Sequence, residues 1–136
     1  MNIQMTATQN VQDLGICILA MVKELETKFI NYHKDAYGVE VYGLQDNDNI
    51  VLLQDNDNVI GYVSWDYENG DTILHNIFID DMYRGLGLST KLFNIVKENT
   101  KNNLLLCCDD RNLSAIKFYK KMGMIEKNIH QKLYSL

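Results

Sequence analysis

The sequence predicts an α/β fold, a mixed sheet with helices packed against it. Three observations carry that prediction. Apolar residues recur at helical spacing in separate stretches of the chain. Short β-rich runs bounded by Asn, Asp and Gly lie between those stretches. Over the second half, residues 72–79, 85–99, 103–108 and 113–122 read in turn as strand, helix, strand and helix.

Residues 2–6 read as a short first strand. Residues 10–33 place Val11, Leu14, Ile18, Met21, Val22, Leu25 and Phe29 at helical spacing, as one long helix or two in tandem. Residues 50–53 and 59–65 read as strands joined by a turn over 55–58. They belong to a local repeat, in which Leu44-Gln45-Asp46-Asn47-Asp48-Asn49-Ile50-Val51 recurs as Leu53-Gln54-Asp55-Asn56-Asp57-Asn58-Val59-Ile60. Two copies do not make a solenoid; they read as a polar turn and a strand, twice. Asn69-Gly70 is a hairpin signal, so residues 72–79 form the next strand. Residues 85–99 set Leu88, Leu92, Phe93 and Val96 on one side of a helix. The apolar run 103–108 is expected to be a strand buried on both faces. Asn112 suits the N-cap of a helix over 113–122, and Gly123 sits where a C-terminal glycine belongs. Residues 124–136 read as one or two strands.

The 136 residues fit one domain, 1–136, with no proline and no Ser/Gly-rich linker to divide it. A content of 46% hydrophobic and 23% charged residues is ordinary for a globular protein. The net charge of −5 argues against a nucleic-acid partner and mildly favours cationic ones. Three cysteines, two of them adjacent (Cys17, Cys107 and Cys108), do not suit a disulfide framework. They point to a reducing compartment, so a cytoplasmic location is expected. The first residues lack the basic and apolar segments of a signal peptide. No apolar stretch is long enough to span a membrane, and no membrane association is expected.

The chemistry concentrates in Ile77-Phe78-Ile79-Asp80-Asp81-Met82-Tyr83-Arg84-Gly85-Leu86-Gly87-Leu88-Ser89. A strand ends, a loop carries two glycines, and a helix begins. Free N–H groups and the positive dipole end favour an anion there. Glycines let a phosphate approach the main chain, and Arg84 adds charge-assisted hydrogen bonds. A P-loop is excluded because the chain reads Gly-Leu-Ser-Thr-Lys rather than Gly-Lys-Ser/Thr. A dinucleotide fingerprint lacks its third glycine.

The second segment is Asn112-Leu113-Ser114-Ala115-Ile116-Lys117-Phe118-Tyr119-Lys120-Lys121-Met122-Gly123-Met124. Together the two segments resemble the GNAT acetyltransferase superfamily. Its cofactor loop has the form Gln/Arg-x-x-Gly-x-Gly/Ala, matched here by Arg84, Gly87 and Ser89. Its later helix has the form Asn-x-x-Ala-x-x-x-Tyr-x-x-x-Gly-Phe, matched by Asn112, Ala115, Tyr119 and Gly123, with Ile116 and Phe118 between. The opening Ile3-Gln4-Met5-Thr6 also looks like the family's first strand, so the resemblance covers essentially the whole chain. Ser89 stands in for Gly or Ala, Asp81 for a common proline, and Met124 for Phe.

The resemblance implies a mixed sheet of about six or seven strands, about four helices, and a pair of parallel strands that splay apart. It implies acetyl-CoA as acyl donor and an amine as acceptor, with no metal. The pantetheine arm would pair with Ile77, Phe78 and Ile79. The pyrophosphate would sit on Arg84, Gly85, Leu86, Gly87, Leu88 and Ser89, near Asn112 and Tyr119. Many members are dimers, so a homodimer is an option. Asp80 and Asp81 should weaken CoA binding unless they point away.

The amine would attack the thioester carbon directly, and by resemblance Tyr119 is the proton donor to the leaving thiolate. Many members carry a glutamate on one of the splayed strands; Cys107 falls where some of them have it. His75 is the candidate base, placed by period-2 alternation on the face of Ile73, Ile77 and Ile79. Asp71, Glu68 or a water chain are alternatives. Tyr32, His33, Tyr37, Tyr42, Trp65 and Tyr67 are candidate walls of the acceptor groove. Two other readings stand beside this one. The first is a catalytically impaired module that binds CoA or a protein partner. The second is a calcium site at Asp46, Asp48, Asp55 and Asp57, against which the loops lack the glycine and glutamate of an EF-hand.

Overall fold

The computed structural model describes residues 1–128 and 132–136. Strand β1 (Ile3–Met5) and the two-residue β2 (Gln9–Asn10) both pair with β3 (Asn49–Asp55). A 3₁₀ turn at Val11–Asp13 leads to helix α1 (Ile16–Tyr37), which meets the one-long-helix alternative and runs four residues further than expected, to Tyr37. Val22, Leu25, Phe29 and His33 form its buried stripe, at spacings of three and four residues. Gly38 ends it in the left-handed region, φ +66°, donating its N–H to the His33 and Lys34 carbonyls.

Strands β3, β4 (Asn58–Glu68) and β5 (Asp71–Ile79) form an antiparallel meander. The β4–β5 hairpin turns at Asn69 and Gly70, both at positive φ, as Asn-Gly predicts. Helix α2 (Leu88–Glu98) buries Leu88, Leu92, Phe93 and Val96, the four positions that its spacing selects. Strand β6 (Leu104–Cys107), helix α3 (Leu113–Lys121), and strands β7 (Ile125–Asn128) and β8 (Leu133–Ser135) complete the order. The strand reading of residues 124–136 is met at β7 and β8, while residues 129–131 lie outside the described residues.

Among the described residues there are thus three α-helices and an eight-stranded sheet. The sheet order is β1-β3-β4-β5-β6-β8-β7, and β2 adds the strand beyond the expected number. Alternation sorts the core into two layers. Ile50, Leu52, Tyr62 and Phe78 pack beneath α1 with Val22, Leu25 and Phe29. Val51, Leu53, Val63, Trp65 and Leu74 face the other way, onto α2 and Tyr119 of α3.

Every neighbouring pair is antiparallel except β5 and β6. Their parallel ladder holds only Thr72 opposite Leu104 and Ile73 opposite Leu105. Beyond those pairs the strands part and leave a wedge. The expected two-sided burial of β6 therefore holds only in part: Leu104 and Leu106 are buried, Leu105 is half-buried and Cys107 is exposed.

Candidate active site

The wedge opens into a cavity of about 640 Å³. One wall is the second half of β5, which pairs with β4 on its other side through Ile77, Phe78 and Ile79. Among the described residues its edge facing the wedge has no strand partner, so its backbone groups are open to a strand-like ligand. Helix α3 forms the opposite wall through Asn112, Ala115 and Tyr119.

The glycine loop closes one end. Gly85 and Gly87 stand at φ +80° and +74°, conformations that L side chains rarely adopt. Nothing lies within 4 Å of a Cβ built on either, so glycine is set here by backbone conformation and open space, not by crowding. Gly87 is the N-cap of α2, and the first helical bond runs from the Lys91 N–H to the Gly87 carbonyl. The N–H groups of Leu88, Ser89 and Thr90 therefore have no intrahelical acceptor, and all three residues line the cavity. Arg84 adds a guanidinium 5.7 Å from the centre of the Tyr32 ring.

Of the two acidic residues before the loop, Asp80 is engaged elsewhere and Asp81 pairs with the loop's own Arg84. Asp80 accepts from the Met82 N–H at 3.2 Å and from Lys28 Nζ at 3.1 Å. Asp81 lies 3.0 Å from Arg84. Tyr83 donates to Asp55 at 2.7 Å, which pins the loop to the β3–β4 turn. Leu86 departs from its expected place. It is half exposed and faces a separate apolar pocket with Met1, Ile3 and Met5. It does not line the cavity that Gly85 and Gly87 line on either side of it.

Tyr119 is buried in the α2–β6 layer, at the cavity wall. Its ring meets Phe118 and Phe93 at centroid distances of 5.4 and 6.5 Å. Burial, and then the nearby Cys108, hold its phenol well above the ordinary tyrosine range, so it keeps its proton. Burial also pushes the Cys108 thiol up to about 11. Asn112 caps α3, its side-chain oxygen accepting from the Ala115 N–H at 3.4 Å. His33 also lines the cavity; Nδ1 donates to the Phe29 carbonyl at 3.0 Å, and burial lowers its pKa.

His75 does not share a face with Ile77 and Ile79. A β-bulge interrupts the β4–β5 ladder: Ser64 pairs with Asn76 and Trp65 with Leu74, which leaves His75 as the extra residue. Leu74 thereby joins Ile77 and Ile79 in the layer under α2. His75 and Asn76 turn toward the α1 side. His75 stacks flat on Tyr42, 3.7 Å between centroids and 6° between planes, and Asn76 donates to the Tyr42 carbonyl at 2.6 Å. His75 still lines the cavity. Its Nε2 lies 3.1 Å from Asp66 Oδ1 and 3.8 Å from Asp48 Oδ1. Neither carboxylate carried a periodic signal, because Asp48 reads as a turn residue and Asp66 as the wet end of a strand.

The expected acceptor wall is corrected in part. Tyr32, His33 and Tyr42 line the cavity. Trp65 is fully buried on the α2 side, donating to the Tyr67 hydroxyl at 3.2 Å. Tyr67 in turn donates to the Asn99 carbonyl, away from the wedge. The Asp/Asn repeats take structural roles. Asp48 accepts from the Gln45 N–H, and Asp55 from the Asn2 N–H and Tyr83, while Asp46 and Asp57 are exposed.

This chain is similar in fold to an Arabidopsis thaliana protein solved with the bisubstrate analogue CoA-Ac-MVNAL. The TM-score is 0.65 at 20% identity, covering 99% of this chain and 96% of that one. It is similar also to the ribosomal-protein-S18-alanine N-acetyltransferase of Escherichia coli, with a TM-score of 0.66 at 15% identity over 98% and 93% of the two chains. An uncharacterized N-acetyltransferase of Methanocaldococcus jannaschii is 30% identical over 96 residues, 62% of this chain. The chain spans only 42% of that relative's length. Residues 18–124, which hold α1, the meander, the glycine loop and α3, match the model of the acetyltransferase (GNAT) family, and the chain belongs to that family.

Proposed function

We propose that this chain is an acetyl-CoA-dependent N-acetyltransferase that passes the acetyl group directly to a primary amine in a ternary complex. The observation that carries the reading is the wedge between β5 and β6, continuous with the glycine loop. Unpaired strand edge suits the amide-bearing pantetheine arm, and free helix N–H groups suit the pyrophosphate. The amine nitrogen forms a bond to the thioester carbon while the carbon–sulfur bond breaks. Tyr119, kept neutral by burial, supplies a proton to the departing sulfur. His75 takes the proton that the amine loses. The bulge beside His75 frees backbone N–H that suits the charge developing on the acetyl oxygen.

The acceptor is a small molecule, a peptide N-terminus or a protein lysine; the net charge of −5 favours a cationic one. The chain acts as one domain in the reducing cytoplasm, without nucleic acid, as a monomer or homodimer that light scattering distinguishes. Its three free cysteines support that compartment. Cys107, where some members have a carboxylate, favours a second reading: a module that binds CoA without turnover.

Calorimetric titration with acetyl-CoA, followed by thiol release over a panel of amines, tests both. Micromolar binding with release supports the enzyme, and binding without release supports the module. No binding at millimolar acetyl-CoA refutes both. Tyr119→Phe is expected to lower kcat by about 10²-fold with little change in KM for acetyl-CoA. Unchanged kcat removes Tyr119 as the acid.

A further inference from the structure

The side of His75 turned away from the cavity is built of charge. Asp66 reaches it from β4 and Asp48 from the loop before β3. Asp48 is fully buried, and the side chains of Asp66 and His75 are 16% and 10% exposed. His75 Nε2 and Asp66 Oδ1 are both sealed from solvent. At 3.1 Å they are in ion-pair contact but out of line for a hydrogen bond, and among the described residues neither atom has a hydrogen-bond partner. Tyr42 covers one face of the ring, and its hydroxyl donates to Asp48 Oδ1 at 3.4 Å. Asp48 Oδ2 is taken by the Gln45 N–H at 2.9 Å.

An ionised carboxylate only accepts hydrogen bonds. Burial raises the pKa of Asp48, so the nearer Asp66 is the acceptor that sets the ring: a nitrogen sealed against it is stable as a donor, Nε2–H, whether the ring is neutral or charged. The neutral ring then carries its lone pair on Nδ1, and the stacked Tyr42 ring resists a flip that would put Cε1 in place of Nε2 beside the carboxylates.

We infer that Asp66, backed by Asp48, is a positioning residue that holds His75 as the Nε2–H tautomer, so that Nδ1 is the atom that takes the proton from the amine. The inference rests on the reading of His75 as the base. In the transfer, the N–H bond of the amine breaks, Nδ1 gains that proton, and Asp66 faces the resulting imidazolium across the 3.1 Å contact. Release of that proton to water from Nδ1 restores the ring.

Long-range proton–nitrogen NMR of ¹⁵N-histidine-labelled protein reads the tautomer directly. The wild type is expected to show a protonated Nε2 and a bare Nδ1 at His75. In Asp66→Asn, whose amide can donate as well as accept, the pattern is expected to become mixed. Its kcat should fall about ten-fold or more while KM for acetyl-CoA holds, a smaller loss than removing a whole acid–base group. Asp48→Asn gives the same readouts if Asp66→Asn does not fold. A protonated Nδ1 in the wild type overturns the inference, as does an unchanged tautomer and kcat in a folded Asp66→Asn. Tight zinc binding by the wild type that Asp66→Asn abolishes also overturns it, in favour of a metal centre. His75→Ala separates the two levels: unchanged kcat there refutes the base, while the wild-type tautomer still decides what Asp66 does.

Discussion

Replacing Gly61 by alanine probes the joint on which the wedge depends. Gly61 lies in β4 opposite Ile79, where β5 hands over to the glycine loop. A Cβ there would stand 2.6 Å from the Phe78 carbonyl oxygen and 3.3 Å from Ile79 Cα. The first distance is about 0.7 Å inside the roughly 3.3 Å at which carbon ordinarily meets a carbonyl oxygen. The obstacle is backbone within a paired ladder, so no rotamer change relieves it and β4 must move from β5. Overpacking of that kind costs about 1–3 kcal/mol. For a chain of this size that is a fall in Tm of about 5–10 °C at the middle of the range. Because Phe78 and Ile79 wall the cavity, affinity for acetyl-CoA should fall with it. Gly43→Ala is the control, since nothing lies within 4 Å of its Cβ and its φ is not positive. Thermal melts and calorimetry on the two variants test the reasoning. A Gly61→Ala protein that melts within about 1 °C of wild type would refute it.

Three further outcomes are expected. Gly87→Ala should cost about 1–2 kcal/mol from left-handed strain alone, with Gly87→Asn recovering part, measured by urea unfolding. Asn112→Ala removes the cap on the Ala115 N–H and should cost about 1 kcal/mol by the same assay. Burial lowers the His33 pKa in the folded state, so below the ordinary value near 6.5 the unfolded chain takes up a proton that the folded one refuses. Stability at this site is thus full above about pH 6.5 and falls as pH drops toward the folded value, by at most about 1.4 kcal/mol per pH unit. Urea melts at two pH values across that window should show the loss in wild type and less of it in His33→Gln.

What could be read from the sequence follows the range of the signals involved. Asn69-Gly70, the four apolar positions of α2, the Asn112 cap and the glycine loop are all written within a few consecutive residues, and each stands as expected. Alternation fails for the face of His75 because a bulge belongs to a pair of strands. Along β5 alone, Ile73, His75 and Ile77 alternate cleanly, and only the pairing of Trp65 with Leu74 reveals the extra residue. The aromatic character of Trp65 suits a groove wall, yet strand parity turns it into the α2 layer. Asp48 and Asp66 come together from separate segments, which no local period records. Cys107 looked buried because its run is apolar; the parting of β5 and β6 leaves it exposed.

That parting has a mechanical side. Among the described residues, two ladder pairs stitch the first five strands to β6, β8 and β7, so the sheet has a seam across its middle. A molecule lying along the open part of the seam acts as a splint, bridging two halves joined by a short ladder and by the core they share under α2. Its binding energy adds directly to the resistance of the sheet to opening, by RT ln(1 + [L]/Kd). Amide exchange along Leu106 and Cys107 should therefore slow far more on ligand addition than exchange within the β3–β4 hairpin, whose ladder is already closed.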